Sequence, residues 1–323
     1  MSPEIDASRA TAKQGVMLDI FLKTLPFFAL IGTGYGAGRS GFFPEEATGW
    51  LTKFVFYFAL SAMLFRFSAN LSISEIFDGP LALAYLLGTG VTYLVAMSVA
   101  YARRLDTPTA AIEAQCAAIG NTGFLGVPML ALLLGPEAVG PIILVLAVDL
   151  IVFSSLLVIL VTGARDGRMS PRVVATVTRG LLANPMIVSI CLGLAVSALA
   201  LPVPQVANDF LTLLGNAATP GALFAIGASL AARSAERIEI ALWLSACKLL
   251  LHPACVALAA LVVFRVEGFG ASVIIAAASL PVAGNVYILA SHYGTAPQRV
   301  SAAILISTAA SILTVSAVIA ALS

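Results

Sequence analysis

The segment IGNTGFLGVPML, residues 119–130, sets Asn121, Gly123, Gly126 and Pro128 into an apolar run that would otherwise form an unbroken helix. Proline removes a backbone donor and clashes with the preceding turn, while glycine eases unwinding. The segment LPVAGNVYILASHYG places Pro281, Gly284 and Asn285 in a second such run. A helix broken in this way frees N–H groups, and its second half presents a positive dipole end. With an asparagine amide alongside, that is chemistry for holding an anion. At membrane depth, such breaks are tolerated only where protein or a watery cavity satisfies the freed groups. Two ordinary proline kinks with asparagines joining neighbouring helices would use the same residues. The coincidence of proline, glycine and asparagine in both runs favours a binding site.

Ionisable residues inside apolar runs are the second signal, because each costs about 2.5–3.5 kcal/mol at the centre of a span on insertion scales. Asp149 lies within LVLAVDLIVF, and Lys248 opens KLLLHP, with His252 one turn later on the same face. Two readings of Asp149 and Lys248 stay open: a coupling or gating pair, or a structural ion pair. His252 reads as a hydrogen-bonding residue of a helix bundle, and Arg66 and Glu113 as interface residues. Tyr57 and Ser61 stand four apart on one helical face and would line a site from another helix. Thr219 and Pro220 occupy the corresponding stretch later in the chain.

Enzyme chemistry finds little support. There are two histidines, no convincing paired carboxylates and no Ser-His-Asp arrangement, and the four cysteines lack metal-type spacing. The string GTGYGAGRSG, residues 32–41, lacks the Gly-Lys-Ser/Thr ending of a phosphate loop, and its glycines read as sites of close helix packing. The sequence thus predicts no catalytic residues, no cofactor and no metal.

These residues need elements that place them in lipid. Of 323 residues, 60% are hydrophobic and 10% charged, with a mean hydropathy of +1.02. A soluble domain carries about 45–50% apolar and about 25% charged residues, so this is an integral membrane protein. A net charge of +1 argues against a nucleic-acid binder. Runs of the length a span requires predict ten helices, near 17–38, 50–70, 80–101, 109–134, 137–163, 181–200, 209–232, 239–264, 270–293 and 297–322. No cleavable signal peptide is predicted, because the polar head leads into a full-length span. Loops one, three, five, seven and nine hold Arg39, Arg103, Arg104, Arg165, Arg168, Arg172, Arg179, Arg233, Arg237 and Arg299. The positive-inside rule makes those loops cytoplasmic and puts both termini on the periplasmic side.

A repeat is also legible. An offset of 159 positions pairs Leu64-Phe65 with Leu223-Phe224, Gly135 with Gly294 and Pro26 with Pro185. Five helices per copy is odd, so the second copy enters the membrane inverted, as in secondary transporters. The predicted organisation is an N-terminal extracytoplasmic tail (1–16), a first repeat (17–163), a cytoplasmic linker (164–180) and a second repeat (181–323).

The pattern Asn-x-Gly-x-x-Gly-x-Pro in the fourth span, Pro-x-x-x-Asn in the ninth and KLLLHP in the eighth resembles the auxin efflux carrier family over nearly the whole chain. That family includes plant auxin exporters and bacterial malonate-type carriers. The resemblance implies that the fourth and ninth helices cross at their breaks. It also implies a scaffold of the first, second, sixth and seventh helices, an elevator-like transport domain formed by the rest, and a homodimer through the scaffold. The short segment between Gly163 and Gly180 matches the compact bacterial type, set in the inner membrane. The expected fold is therefore all-α, with ten transmembrane helices in two inverted five-helix repeats. The expected function is secondary transport of a small mono- or dicarboxylate, bound by Asn121, Asn285 and freed N–H groups at the crossing. Alternatives are a sodium-coupled organic-anion symporter of the bile-acid type, for which Glu113 and Gln115 would be added ligands, a channel, and a membrane-embedded enzyme or sensor.

Overall fold

The computed structural model describes residues 3–71, 78–166, 171–232, 237–266 and 268–322. Arg168 and Arg233, and part of the predicted linker, lie outside the described residues. All the secondary structure in the described residues is helical, apart from one isolated bridge between Gly120 and Val282. In chain order the helices are α1 (Pro3–Arg39), α2 (Glu45–Ala69), α3 (Gly79–Ala102), α4 (Thr107–Ala118) and α5 (Thr122–Leu134). They continue with α6 (Pro136–Ala164), α7 (Pro171–Leu182), α8 (Pro185–Ala198) and α9 (Gln205–Ala231). The last four are α10 (Ile238–Val263), α11 (Phe269–Ala278), α12 (Gly284–His292) and α13 (Pro297–Leu322). Six of these are long and apolar enough to cross a membrane, and a seventh span arises if the pair α7 and α8, bent by 66°, counts as one. The chain is a multi-pass membrane protein.

The sequence places the helix starts by ordinary capping. The Asp78 carboxylate accepts from the Leu81 N–H with Pro80 at the first turn of α3, and the Asn184 side chain accepts from the Met186 N–H ahead of α8. Gly135 and Gly294, paired by the 159-residue offset, both adopt positive φ, at 95° and 59°, a conformation that costs glycine little. The helix α1 runs unbroken from Pro3 through the predicted N-terminal tail, so Pro26 lies well inside it while Pro185 opens α8. Much of the predicted linker is helical as α7, whose apolar positions give it a face to bury.

Packing sorts the helices into two groups. α1 packs most extensively on α9, and α2 on α8 and α9; α3 packs on α4 and α10, and α10 on α13, while α1 also packs on α13 across the two groups. Small residues permit this closeness. A Cβ at Gly34 would meet the Phe224 backbone, one at Gly227 the Ile31 carbonyl, and one at Gly193 the Phe65 carbonyl. Between α3 and α10, Gly88 lies equally close to Val256. Of the glycines of residues 32–41, Gly34 and Gly38 thus have the packing role read from the sequence, while Gly32, Gly36 and Gly41 face open space.

Candidate functional site

The two broken runs meet. Ile119 is extended, with φ −97° and ψ 119°, and the chain between α4 and α5 runs antiparallel to the chain between α11 and α12. The Asn121 N–H donates to the Pro281 carbonyl at 2.8 Å, and the Ala283 N–H donates to the Ile119 carbonyl at 3.1 Å. The Val282 N–H donates to the Ser307 hydroxyl of α13 at 3.1 Å. This pairing corrects one expectation, because backbone donors at the crossing are largely spent on protein acceptors. Those of Gly284 and Asn285 open α12 and have no carbonyl one turn earlier in that helix to bond. Nor does Pro128 make the break. The unwound residues lie upstream of it, and Pro128 follows a π turn over Thr122–Gly126 that accommodates its missing N–H. Gly123 and Gly126 serve closeness: a Cβ would meet Met186 at the first and Leu280 at the second. Gly284 faces open space.

A π turn recurs at three of the polar residues singled out, as such bulges often do at functional sites. Tyr57 sits within Val55–Ala59 of α2, Asp149 begins Asp149–Phe153 of α6, and Lys248 lies in Cys247–Leu251 of α10. Pro253 follows the last of these as Pro128 follows its own. Hydroxyls take up carbonyls loosened by the wider turn: Ser61 donates to the Phe56 carbonyl at 3.0 Å, and Ser154 to the Asp149 carbonyl at 3.0 Å, each five residues back. Ser61 is thereby occupied and does not reach the cavity described below.

Asp149 and Lys248 are buried, at 2% and 0% exposure. They are not joined as a direct ion pair among the described residues. Instead, the Tyr85 hydroxyl donates to Asp149 Oδ1 at 2.9 Å and the Thr122 hydroxyl contacts Oδ2 at 3.4 Å. Lys248 Nζ donates to the Ala278 carbonyl and lies 2.9 Å from His252 Nδ1, whose Nε2 is 3.0 Å from the Thr89 hydroxyl. Asp149 thus holds the start of α5, and Lys248 holds the end of α11, with its amine packed beside Gly120. His252 has the hydrogen-bonding part expected of it. Glu113 is 1% exposed and clamped by two arginines, accepting from Arg103 at 2.7 and 2.8 Å and from Arg299 Nη1. Arg103 and Arg299 belong to loops that the charge rule assigns to one side of the membrane.

A cavity of about 500 Å³ opens beside the crossing. Its walls come from α2 (Thr52, Lys53, Phe56, Tyr57), α5 and α6 (Phe124, Leu150, Ser154, Ser155, Val158), α7 (Thr176, Val177, Gly180, Leu181), Asn184, and α12 (Asn285, Ile288, Leu289). Phe56 and Phe124 stack across it with centroids 6.2 Å apart. The Asn285 side-chain oxygen is buried without a hydrogen-bond partner, and since an amide's two ends exchange by a half-turn, this is an unengaged polar group at the cavity wall. Asn121 is buried at the crossing but does not line this cavity, and neither do Thr219 and Pro220. Sequence reasoning missed Lys53, Phe56 and Phe124, and it missed α7 as a wall. The i, i+4 relation of Lys53 to Tyr57 was the available signal for the first.

Comparison with known proteins fits this architecture. A family model described as "Membrane transport protein" matches residues 19–319. The chain belongs to this family, the auxin efflux carriers. Among its relatives, the "Putative malonate transporter" of Rhizobium meliloti (strain 1021) is 31% identical over 302 residues, covering 93% of this chain and 94% of that one. The match runs from α1 to α13, so both broken runs and both packing groups of this transporter fall inside it.

Proposed function

We propose that this transporter is a secondary active carrier that moves a small carboxylate across the bacterial inner membrane by alternating access. The observation that carries the reading is the antiparallel meeting of two broken helices beside a cavity with an unengaged asparagine amide. Carriers of this type bind substrate where discontinuous helices face each other, with half-helix N-termini turned to anionic groups. Asn285 and the N–H groups of Gly284 and Asn285 hold the carboxylate, Asn121 braces the crossing behind it through its N–H on the Pro281 carbonyl, and Tyr57, Phe56 and Phe124 enclose its apolar part. The relative named for malonate transport favours a short mono- or dicarboxylate.

The chain is read as ten spans in two inverted repeats, with α4 and α5 forming one broken span and α11 and α12 another. The packing groups supply a scaffold (α1, α2, α8, α9) and a transport body (α3 to α6 and α10 to α13) that shifts against it as an elevator. Both termini are periplasmic. The cavity lies toward the arginine-bearing ends, so the form described here is open to the cytoplasm. Asp149 and Lys248 form a coupling pair that fixes both halves of the crossing to the transport body. A sodium site of the bile-acid type loses support, because Glu113 is already held between two arginines.

Uptake of radiolabelled carboxylates into proteoliposomes, with proton and sodium gradients imposed separately, tests the reading. Saturable uptake should fall at least about tenfold in Asn121→Ala/Asn285→Ala, in line with losing hydrogen bonds to a charged group. Wild-type transport by that double variant rules the site out.

A further inference from the structure

Lys53 is the only charged side chain, among the described residues, that lines the cavity of about 500 Å³. It also lines a second cavity of about 480 Å³, bordered by Glu45, Thr48, Gln298 and Ser301, and the two share Thr52, Lys53 and Ile288 as their common boundary. Lys53 stands one helical turn from Tyr57, which lines the same cavity, so it faces the same space about 6 Å further along α2. Its ammonium lies 4.3 Å from the centre of the Trp50 ring. That contact steadies a cation without neutralising it, since the ring offers only its quadrupole. No carboxylate pairs with Lys53 among the described residues. An unneutralised cation at the wall of an otherwise uncharged cavity attracts a second negative charge on the ligand.

We infer that Lys53 is the specificity-determining contact for a dianion: one carboxylate sits at Asn285 and the second at Lys53, making the substrate a dicarboxylate. The inference rests on the carboxylate-carrier reading above. A monocarboxylate fills the Asn285 end alone and leaves the ammonium facing water. Phe56 and Phe124 cover the carbon chain between.

The test compares KM for uptake of malonate and of monomethyl malonate, which keeps the length but loses one charge. Wild-type protein, Lys53→Met and Lys53→Arg are reconstituted alike. In Lys53→Met the malonate KM should rise about fivefold, the upper scale of an exposed ion pair, while that of monomethyl malonate moves less than about twofold. Lys53→Arg should stay within about threefold of wild type for both. An equal loss for both acids makes Lys53 an entry or positioning residue and overturns the assignment, as does an unchanged malonate KM. Uptake of neither acid by the wild-type protein instead removes the carboxylate reading itself, and the dianion assignment with it.

Discussion

Asp149 and Lys248 are each buried, and each reaches the crossing through a different half: Asp149 through the Thr122 hydroxyl, Lys248 through the Ala278 carbonyl. This division makes a separable prediction. If Asp149 serves coupling rather than binding, Asp149→Asn keeps the hydrogen bond from Tyr85 and should retain substrate counterflow within about threefold, while losing most gradient-driven accumulation. Parallel counterflow and gradient-driven assays check it, and loss of both activities together makes the residue structural. At this scale the sequence was partly legible. Proline, glycine and asparagine in an apolar run betray a break because each disturbs the backbone locally. Which donors remain free was hidden, because the partner of the Asn121 N–H lies 160 positions away, at Pro281. Ser61 misled for a related reason: a lone serine gives no sign that its hydroxyl will fold back on the carbonyl five residues earlier.

Among the elements, α1 and α9 show how much of the packing rests on missing side chains. The Ile31 carbonyl occupies the space a Cβ at Gly227 would need, and the Phe224 carbonyl does the same for Gly34. Gly227→Leu forces these backbones apart and should destabilise the protein by about 1–3 kcal/mol or more, as overpacking does. Thermal unfolding in detergent would register it as a lowered Tm, with Gly36→Ala, which faces open space, as the unaffected comparison. The glycine-rich string of residues 32–41 made the α1 side of this packing visible in the sequence. Length and hydropathy likewise marked the runs that became α2, α3, α6, α9, α10 and α13. The helix α7 was not visible in that way, because its arginines and polar residues read as a loop while its apolar positions only gain meaning once they close a cavity.

Over the whole molecule, the proposed motion would be read at the contacts between the two packing groups. Phe56 of α2 and Phe124 of α5 face each other across that divide, with rings nearly parallel at 7°. If the groups slide during transport, a short thiol crosslinker joining Phe56→Cys and Phe124→Cys should arrest uptake by more than about tenfold, and reduction should restore it. The background must first lose Cys116, Cys191, Cys247 and Cys255, all free thiols. Uptake that survives crosslinking rejects the sliding motion. The two groups do not coincide with the two halves of the chain: α1 and α2 rest on α8 and α9, and α3 rests on α10. This interleaving bears on biogenesis. While the chain is still leaving the ribosome, Glu113 has entered the bilayer without Arg299, and Lys248 without its carbonyl on Ala278. The group of α1, α2, α8 and α9 can close once α9 is made, but the group containing α3 and α10 cannot close until α13 is delivered, so α3 to α6 must wait in lipid as an unfinished assembly while the second half is made.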